Sequence, residues 1–176
     1  YGDTNSVLNI DGGRIISNTA GTSGNGQGGG VYANGALTVR GGEISRNLSG
    51  HSGGGIYSSN VAVSEIAGGE ISYNLSNVGG GITANTDITL SGGLITHNYA
   101  YYRDYGLYFL TPGTLKLAGP VKIKENGTKK STSNDISGAK TVTVTGELER
   151  GTAPDEECAE IYISEYLSPI TGYGEN

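Results

Sequence analysis

One phrase recurs along this chain at nearly fixed spacing, and that periodicity limits the available folds more than any other property. It begins as Gly12-Gly13-Arg14-Ile15-Ile16-Ser17-Asn18 and returns as Gly41-Gly42-Glu43-Ile44-Ser45-Arg46-Asn47. Further copies are Gly68-Gly69-Glu70-Ile71-Ser72-Tyr73-Asn74 and Gly92-Gly93-Leu94-Ile95-Thr96-His97-Asn98, with a longer variant at 119–126. A second phrase, a glycine triplet followed by an aliphatic residue, sits at Gly28–Val31, Gly53–Ile56 and Gly79–Ile82, with echoes at Leu107, Ile136 and Ile161. The third is apolar-polar-apolar: Leu8-Asn9-Ile10, Leu37-Thr38-Val39, Ile88-Thr89-Leu90, Leu115-Lys116-Leu117 and Val142-Thr143-Val144. Aligned on Val31, Ile56, Ile82, Leu107, Ile136 and Ile161, the copies are spaced 25, 26, 25, 29 and 25 residues apart.

Each repeat thus holds three short alternating segments between glycine turns, and none has a helical period, so each segment reads as a strand of three to five residues. Wound as one coil per repeat, every strand lies beside its counterpart in the next coil at ~4.8 Å, in parallel register. The expected fold is all-β: a right-handed single-stranded parallel β-helix of about six to seven coils, the hand following from the preference of parallel crossovers. Ile15, Ile44, Ile71 and Ile95 then stack as one inward ladder, and Leu37, Val39, Ile88 and Leu90 as another. Paired glycines permit the sharp turns. Asn18, Asn47, Asn74, Asn98 and Asn126 are expected to form an asparagine ladder at one corner, each amide bonding the next, with Asn itself tolerating a left-handed backbone. Leucine-rich repeats would need a leucine consensus that is absent, propeller blades need longer units, and the calcium-binding nonapeptide needs an aspartate missing from 26–31.

Charge is unevenly spread over the 176 residues. Residues 1–146 carry nine acids and ten bases, whereas residues 147–176 carry eight acids and one base, Arg150. The expected division is therefore 1–146 as repeat coils and 147–176 as an acidic closing coil or cap of the same domain. Without a basic groove interleaved with aromatics, no nucleic acid is expected as partner. No apolar run is long enough to span a membrane, so no membrane insertion is expected. Cys158 is the sole cysteine, which excludes an intrachain disulfide and a cysteine zinc site. The absence of methionine and the opening at Tyr1 lead to the expectation of a piece of a longer polypeptide.

Gly-Gly-x-Ile followed by x-x-Asn resembles the right-handed β-helix repeats of bacterial surface proteins. The likeness is to chlamydial polymorphic outer-membrane proteins and to the repeat arrays of large surface proteins of gut Gram-positive bacteria, and it covers residues 7–126. Asn134–Thr145 resembles the closing coil of such arrays. The resemblance implies secretion, a bacterial cell-surface location and a stalk or adhesin role, and it carries no catalytic residue.

Parallel β-helices also host polysaccharide lyases and glycoside hydrolases, whose sites cluster outward carboxylates. The third position of the first phrase gives the outer column Arg14, Glu43, Glu70, Leu94, Val121, in which Glu43 and Glu70 are the candidate catalytic pair. As a surface feature the same column is a solvated charge row with Arg14 offsetting the acids. His97 occupies a slot shared with Ser17, Arg46 and Tyr73, which marks a surface position, and His51 lies in a loop. Tyr99, Tyr101, Tyr102, Tyr105, Tyr108 and Phe109 put six of thirteen aromatics into eleven residues, with Arg103 among them. This stretch is read as a loop; its rings either stack on sugars or grip a protein, or fold back over the side of the helix. The ligand-binding candidates are Tyr99, Tyr101, Tyr102, Arg103 and Tyr105. The acidic 155–165 stretch lacks ordered calcium-ligand spacing, and no metal or cofactor is expected.

The expectation is therefore a non-catalytic extracellular module that contacts a host or environmental glycan or a surface protein through its loops. A carbohydrate-active enzyme fragment using Glu43 and Glu70 is the competing reading.

Overall fold

Alternation of apolar and polar residues over three or four positions, broken by glycine, leaves each segment able to bury only one side. In the computed structural model that side always faces inward; the structure describes residues 5–59, 63–103, 105–127, 136–145 and 170–171. Among the described residues every element is a strand, and every strand pairing is parallel, between equivalent segments of successive coils. Three sheets result. The first takes two segments from each coil, as in Ala36–Val39 and Glu43–Ser45; in the third and fourth coils these fuse into the nine-residue strands Ser64–Ser72 and Ile88–Thr96. The second sheet contains Thr19–Ala20, Leu48–Ser49, Leu75–Val78 and Tyr99–Arg103. The third contains Val31–Ala33, Ile56–Ser58, Ile82–Ala84, Leu107–Phe109 and Ile136–Ser137.

The described residues make about five coils, four of them complete and the fifth running from Thr114 to Ser137 with 128–135 outside the described residues, against an expectation of six to seven. Thr141–Val144 opens a sixth, and Ile170–Thr171 pairs onto it through Val142 and Thr143. The remainder of the expected cap at 147–176, including Cys158 and Ile161, lies outside the described residues, as does Asn134.

The inward ladders follow the sequence register. Ile15, Ile44, Ile71, Ile95 and Ile123 align in turn, as do Val31, Ile56, Ile82, Leu107 and Ile136. The isoleucines of the inner coils are fully buried. Each such side chain contributes about 1.5–3 kcal/mol on leaving water, so the dry centre is the main favourable term. One coil hides its strand from a hydrophobic reading. Ser64-Glu65-Ile66 fills the slot that Leu37-Thr38-Val39 and Ile88-Thr89-Leu90 occupy elsewhere. Ser64 is tolerated inside because its hydroxyl pairs with that of Ser58 at 2.7 Å, so two polar groups satisfy each other.

The asparagine ladder forms, but the left-handed residue is the one before each asparagine. Ser17, Arg46, Tyr73, His97 and Glu125 have φ between 52° and 56°. That conformation swings the following asparagine inward, where its amide is saturated. The Asn74 Oδ1 accepts from both the backbone N–H and the Nδ2 of Asn47, each at 3.0 Å. Its Nδ2 donates to Ile44 O at 2.9 Å and to Asn98 Oδ1 at 3.0 Å. The same pattern links Asn18 to Asn47 and Asn98 to Asn126. Register also corrects the fifth member of the outer column: Lys122, not Val121, aligns with Leu94. The extra residue at Pro120 shifts the phrase by one, and Val121 is fully buried.

Candidate functional site

Three groups of outward side chains arise from this frame. The first is the column Arg14, Glu43, Glu70, Leu94, Lys122 on the first sheet, where Glu43 and Glu70 stand on adjacent coils. Glu43 is fully committed to neighbours. Ser45 Oγ donates to it at 2.5 Å, Arg14 Nε donates at 2.7 Å, and Arg46 Nη1 stands 3.9 Å away. The Ser45 hydroxyl first, then the Arg14 guanidinium, hold the Glu43 carboxyl below the usual carboxylate value, with the Arg46 charge adding to them. A general acid needs the opposite shift. Because the folded-state pKa is depressed, Glu43 stabilises the fold above the ordinary value of 4.5, and that contribution is lost as the pH falls through its lowered pKa. Thermal unfolding of wild type and Glu43→Gln across pH 3–7 is expected to differ at neutral pH and to converge in acid. A gap independent of pH would contradict this assignment.

The second group is the corner slot with left-handed backbone. Its side chains are exposed, as the mixed composition of the slot anticipates, and they stack on one another. Arg46 lies 5.5 Å from the Tyr73 ring centre, the Tyr73 ring stacks on His97 at 4.9 Å, and His97 Nε2 stands 3.5 Å from Glu125 Oε2. His97 Nδ1 bonds the Thr96 hydroxyl at 2.9 Å. Thr96 is 5% exposed, so this Thr-His-Glu chain offers no accessible nucleophile. His51 is exposed and its Nδ1 bonds Ser52, a hydroxyl that is fully buried.

The third group is the tyrosine cluster, which is a strand and not the loop expected from sequence. Tyr99–Arg103 belongs to the second sheet and pairs with Leu75–Val78: Leu75 aligns with Tyr99, Ser76 with Ala100, and Val78 with Arg103. One extra residue is therefore accommodated opposite Asn77, and the register shifts between Ser76 and Val78. Strand alternation would send Tyr101 outward and Tyr102 inward. The bulge aims both outward, at 60% and 77% exposure. Ala100, on the inner side, is fully buried. Tyr99 supports Tyr101, meeting it edge-on at 5.6 Å and stacking on Tyr105 at 5.7 Å. Of the five candidates, Tyr101 and Tyr102 present free surface, Tyr99 and Tyr105 are half-buried supports, and Arg103 ends the strand with its side chain outside the described residues. Phe109 is core and Tyr108 half-buried.

Asn77, opposite the bulge, was not singled out by sequence. Its amide donates to Gly50 O at 2.7 Å, which anchors the partner strand at the bulge. The available signal was length: Tyr99–Arg103 has one residue more than Leu75–Val78. Among the described residues no three His, Cys, Asp or Glu side chains gather to hold a metal ion. Comparison with family models, with curated proteins and with solved structures gave no match.

Proposed function

We propose that this chain is a non-catalytic β-solenoid module of a bacterial protein that is secreted or held at the cell surface, and that it binds glycan through Tyr101 and Tyr102. The observation that carries the reading is the bulge. Two consecutive tyrosines stand out of a strand whose neighbour Ala100 is core, and the first of them, Tyr101, meets the ring of Tyr99, itself stacked on Tyr105. Exposed large apolar side chains cost solvation unless they meet a partner. A rigid tyrosine pair suits sugars because the ring faces meet C–H surfaces while the hydroxyls bond at the periphery. The stacked coils supply rigidity, so little order is lost on binding.

The enzymatic alternative has less behind it. Glu43 is held as a carboxylate by the Ser45 hydroxyl and Arg14, with Arg46 adding to them, and Glu70 stands next to Leu94 rather than a third acid. The test is a glycan array probed with wild type and with the Tyr101→Ala, Tyr102→Ala double variant. Selective signal that drops at least about tenfold in the double variant is expected, since loss of two stacking rings is worth ~1.4 kcal/mol or more. An unchanged signal, or a silent array with wild type, removes the glycan reading.

A further inference from the structure

Three asparagines of the chain precede a glycine: Asn25-Gly26, Asn34-Gly35 and Asn126-Gly127. In such a pair the side-chain amide carbon lies within reach of the next backbone nitrogen, and glycine puts no Cβ in the way. The fold treats the three pairs differently. Asn126 is 1% exposed and its amide is spent on the ladder: Oδ1 accepts from Asn98 N at 3.0 Å and Nδ2 at 2.9 Å, and its Nδ2 donates to Ile95 O at 3.0 Å. The Gly127 N–H is also taken, donating to Asn98 O at 2.8 Å. Asn34 is half-buried, its Oδ1 accepts from Ser59 Oγ at 3.0 Å, and Gly35 is buried against Ser6 O. Asn25 is exposed, and among the described residues neither its amide nor the Gly26 N–H has a hydrogen-bond partner. A Cβ at Gly26 would collide with the Ala20 carbonyl, so the coil demands glycine after Asn25. Gly24, at φ 91°, flanks it on the other side, and between two glycines the backbone can turn to bring amide carbon to nitrogen.

We infer that Asn25 is a site of spontaneous modification, selected by the fold from the three pairs, at which the chain converts its own asparagine to aspartate and isoaspartate. The Gly26 nitrogen gives up its proton and bonds to Asn25 Cγ. The Cγ–Nδ2 bond breaks, ammonia leaves with a proton from solvent, and a five-membered succinimide remains. Water then opens the ring. Cleavage between Cγ and nitrogen gives aspartate; cleavage between the main-chain carbonyl carbon and nitrogen gives isoaspartate, in which the chain runs through the former side chain. The net change is one water taken up and one ammonia released, with no oxidant or other reactant. The place of the reaction gives it a structural consequence. Gly26 O accepts from Ser49 Oγ at 2.6 Å, His51 N at 2.9 Å and Ser52 N at 3.3 Å, which fastens this loop of the first coil to the second. Isoaspartate adds one carbon to the main chain just ahead of that carbonyl, and a negative charge beside it. The modified chain loses its grip at this point while the inward ladders stay untouched.

The experiment is incubation of the full chain in mildly alkaline buffer, with peptide mapping by mass spectrometry at intervals and a parallel incubation in concentrated urea. In the folded chain the gain of one mass unit is expected at Asn25 at least about tenfold faster than at Asn34 or Asn126, because buried and bonded sites react only through local opening. In urea the three rates are expected to fall within about threefold of one another, since each asparagine is followed by glycine and the coil no longer protects any of them. Hydrogen exchange at the His51 and Ser52 amides is expected to quicken in the fraction carrying isoaspartate, with circular dichroism unchanged. Asn25→Gln, whose longer side chain closes the ring far more slowly, removes both the mass gain and the change in exchange. An Asn25 that stays intact in the folded chain, or Asn34 and Asn126 converting as fast as Asn25 there, overturns the inference. So does urea in which Asn25 alone converts, which would place the selectivity in local sequence and not in the fold. Unaltered exchange at His51 and Ser52 in the isoaspartate fraction overturns the loss of grip.

Discussion

Replacing Asn74 by alanine lowers the unfolding free energy by about 3–6 kcal/mol, while the same change at Asn18 costs less than about 1 kcal/mol. The contrast comes from position in the ladder. Asn74 is 1% exposed and its amide makes four hydrogen bonds with atoms of the coils on either side. Alanine leaves the Asn47 backbone N–H, one Asn47 Nδ2 hydrogen and the Ile44 carbonyl without this partner, in a place too dry to replace it. Each orphaned buried group costs about 1–3 kcal/mol. Asn98 Oδ1 suffers less, because the Asn74 backbone N–H still donates to it at 3.0 Å. Asn18 is exposed at the ladder's end, and its Nδ2 loses only bonds that water can substitute. Urea denaturation followed by circular dichroism gives both values. Equal losses at the two positions would mean that the ladder is decoration rather than structure. Aspartate at 74 is no rescue, since it deletes both donors and buries a charge.

The coil was legible because its cause repeats. A single buried isoleucine says little, but Ile44, Ile71 and Ile95 at the same place in the same phrase can share one interior only if the coils stack in register. Most of what the repeat did not disclose happens once. Ser64 breaks the apolar alternation and is rescued by Ser58, six residues earlier, a pairing visible only when the coil is closed. Pro120 displaces one register step, so Val121 went to the outer column in place of Lys122. The left-handed slot was placed on asparagine because asparagine is the residue most tolerant of it. Yet the five occupants Ser17, Arg46, Tyr73, His97 and Glu125 carry that φ so that the asparagine amide can turn inward. The tyrosine cluster was found by composition, but its conformation was not. Glycine-free and aromatic, residues 99–103 look like an interruption of the repeat. They are a strand whose one surplus residue is absorbed as a bulge.

Gly54→Ala is expected to cost about 3–5 kcal/mol, an effect out of proportion to one methyl group, because the methyl points at a neighbouring backbone and not at side chains. A Cβ at Gly54 would stand 2.6 Å from Leu75 O and 2.7 Å from the Leu75 carbonyl carbon, and closer still to Gly80 O. All of these atoms belong to the next coil. The φ at Gly54 is not left-handed, so the cost is contact and not backbone strain. Relief requires lifting the second coil from the third by a few tenths of an ångström or more. That lengthens the bonds from Gly53 N to Val78 O at 3.1 Å, Gly54 N to Gly79 O at 3.3 Å and Gly55 N to Gly81 O at 3.0 Å, each worth about 1 kcal/mol when made. The ladder feels the same displacement, since Gly55 packs against the Asn74 amide, where an added Cβ would lie 2.9 Å from Nδ2. Gly12→Ala is the control: nothing lies within 4 Å of its Cβ and its φ is not left-handed, so stability changes by less than about 0.5 kcal/mol. The seam continues one coil further, where Gly80 abuts the Tyr99 backbone. Close approach of coils at the glycine triplets therefore sets the height at which the tyrosine strand is held. Urea midpoints of the two variants decide the matter: a Gly54→Ala protein as stable as Gly12→Ala would show that the coils can part at this seam without loss, and that glycine is there for some reason other than contact.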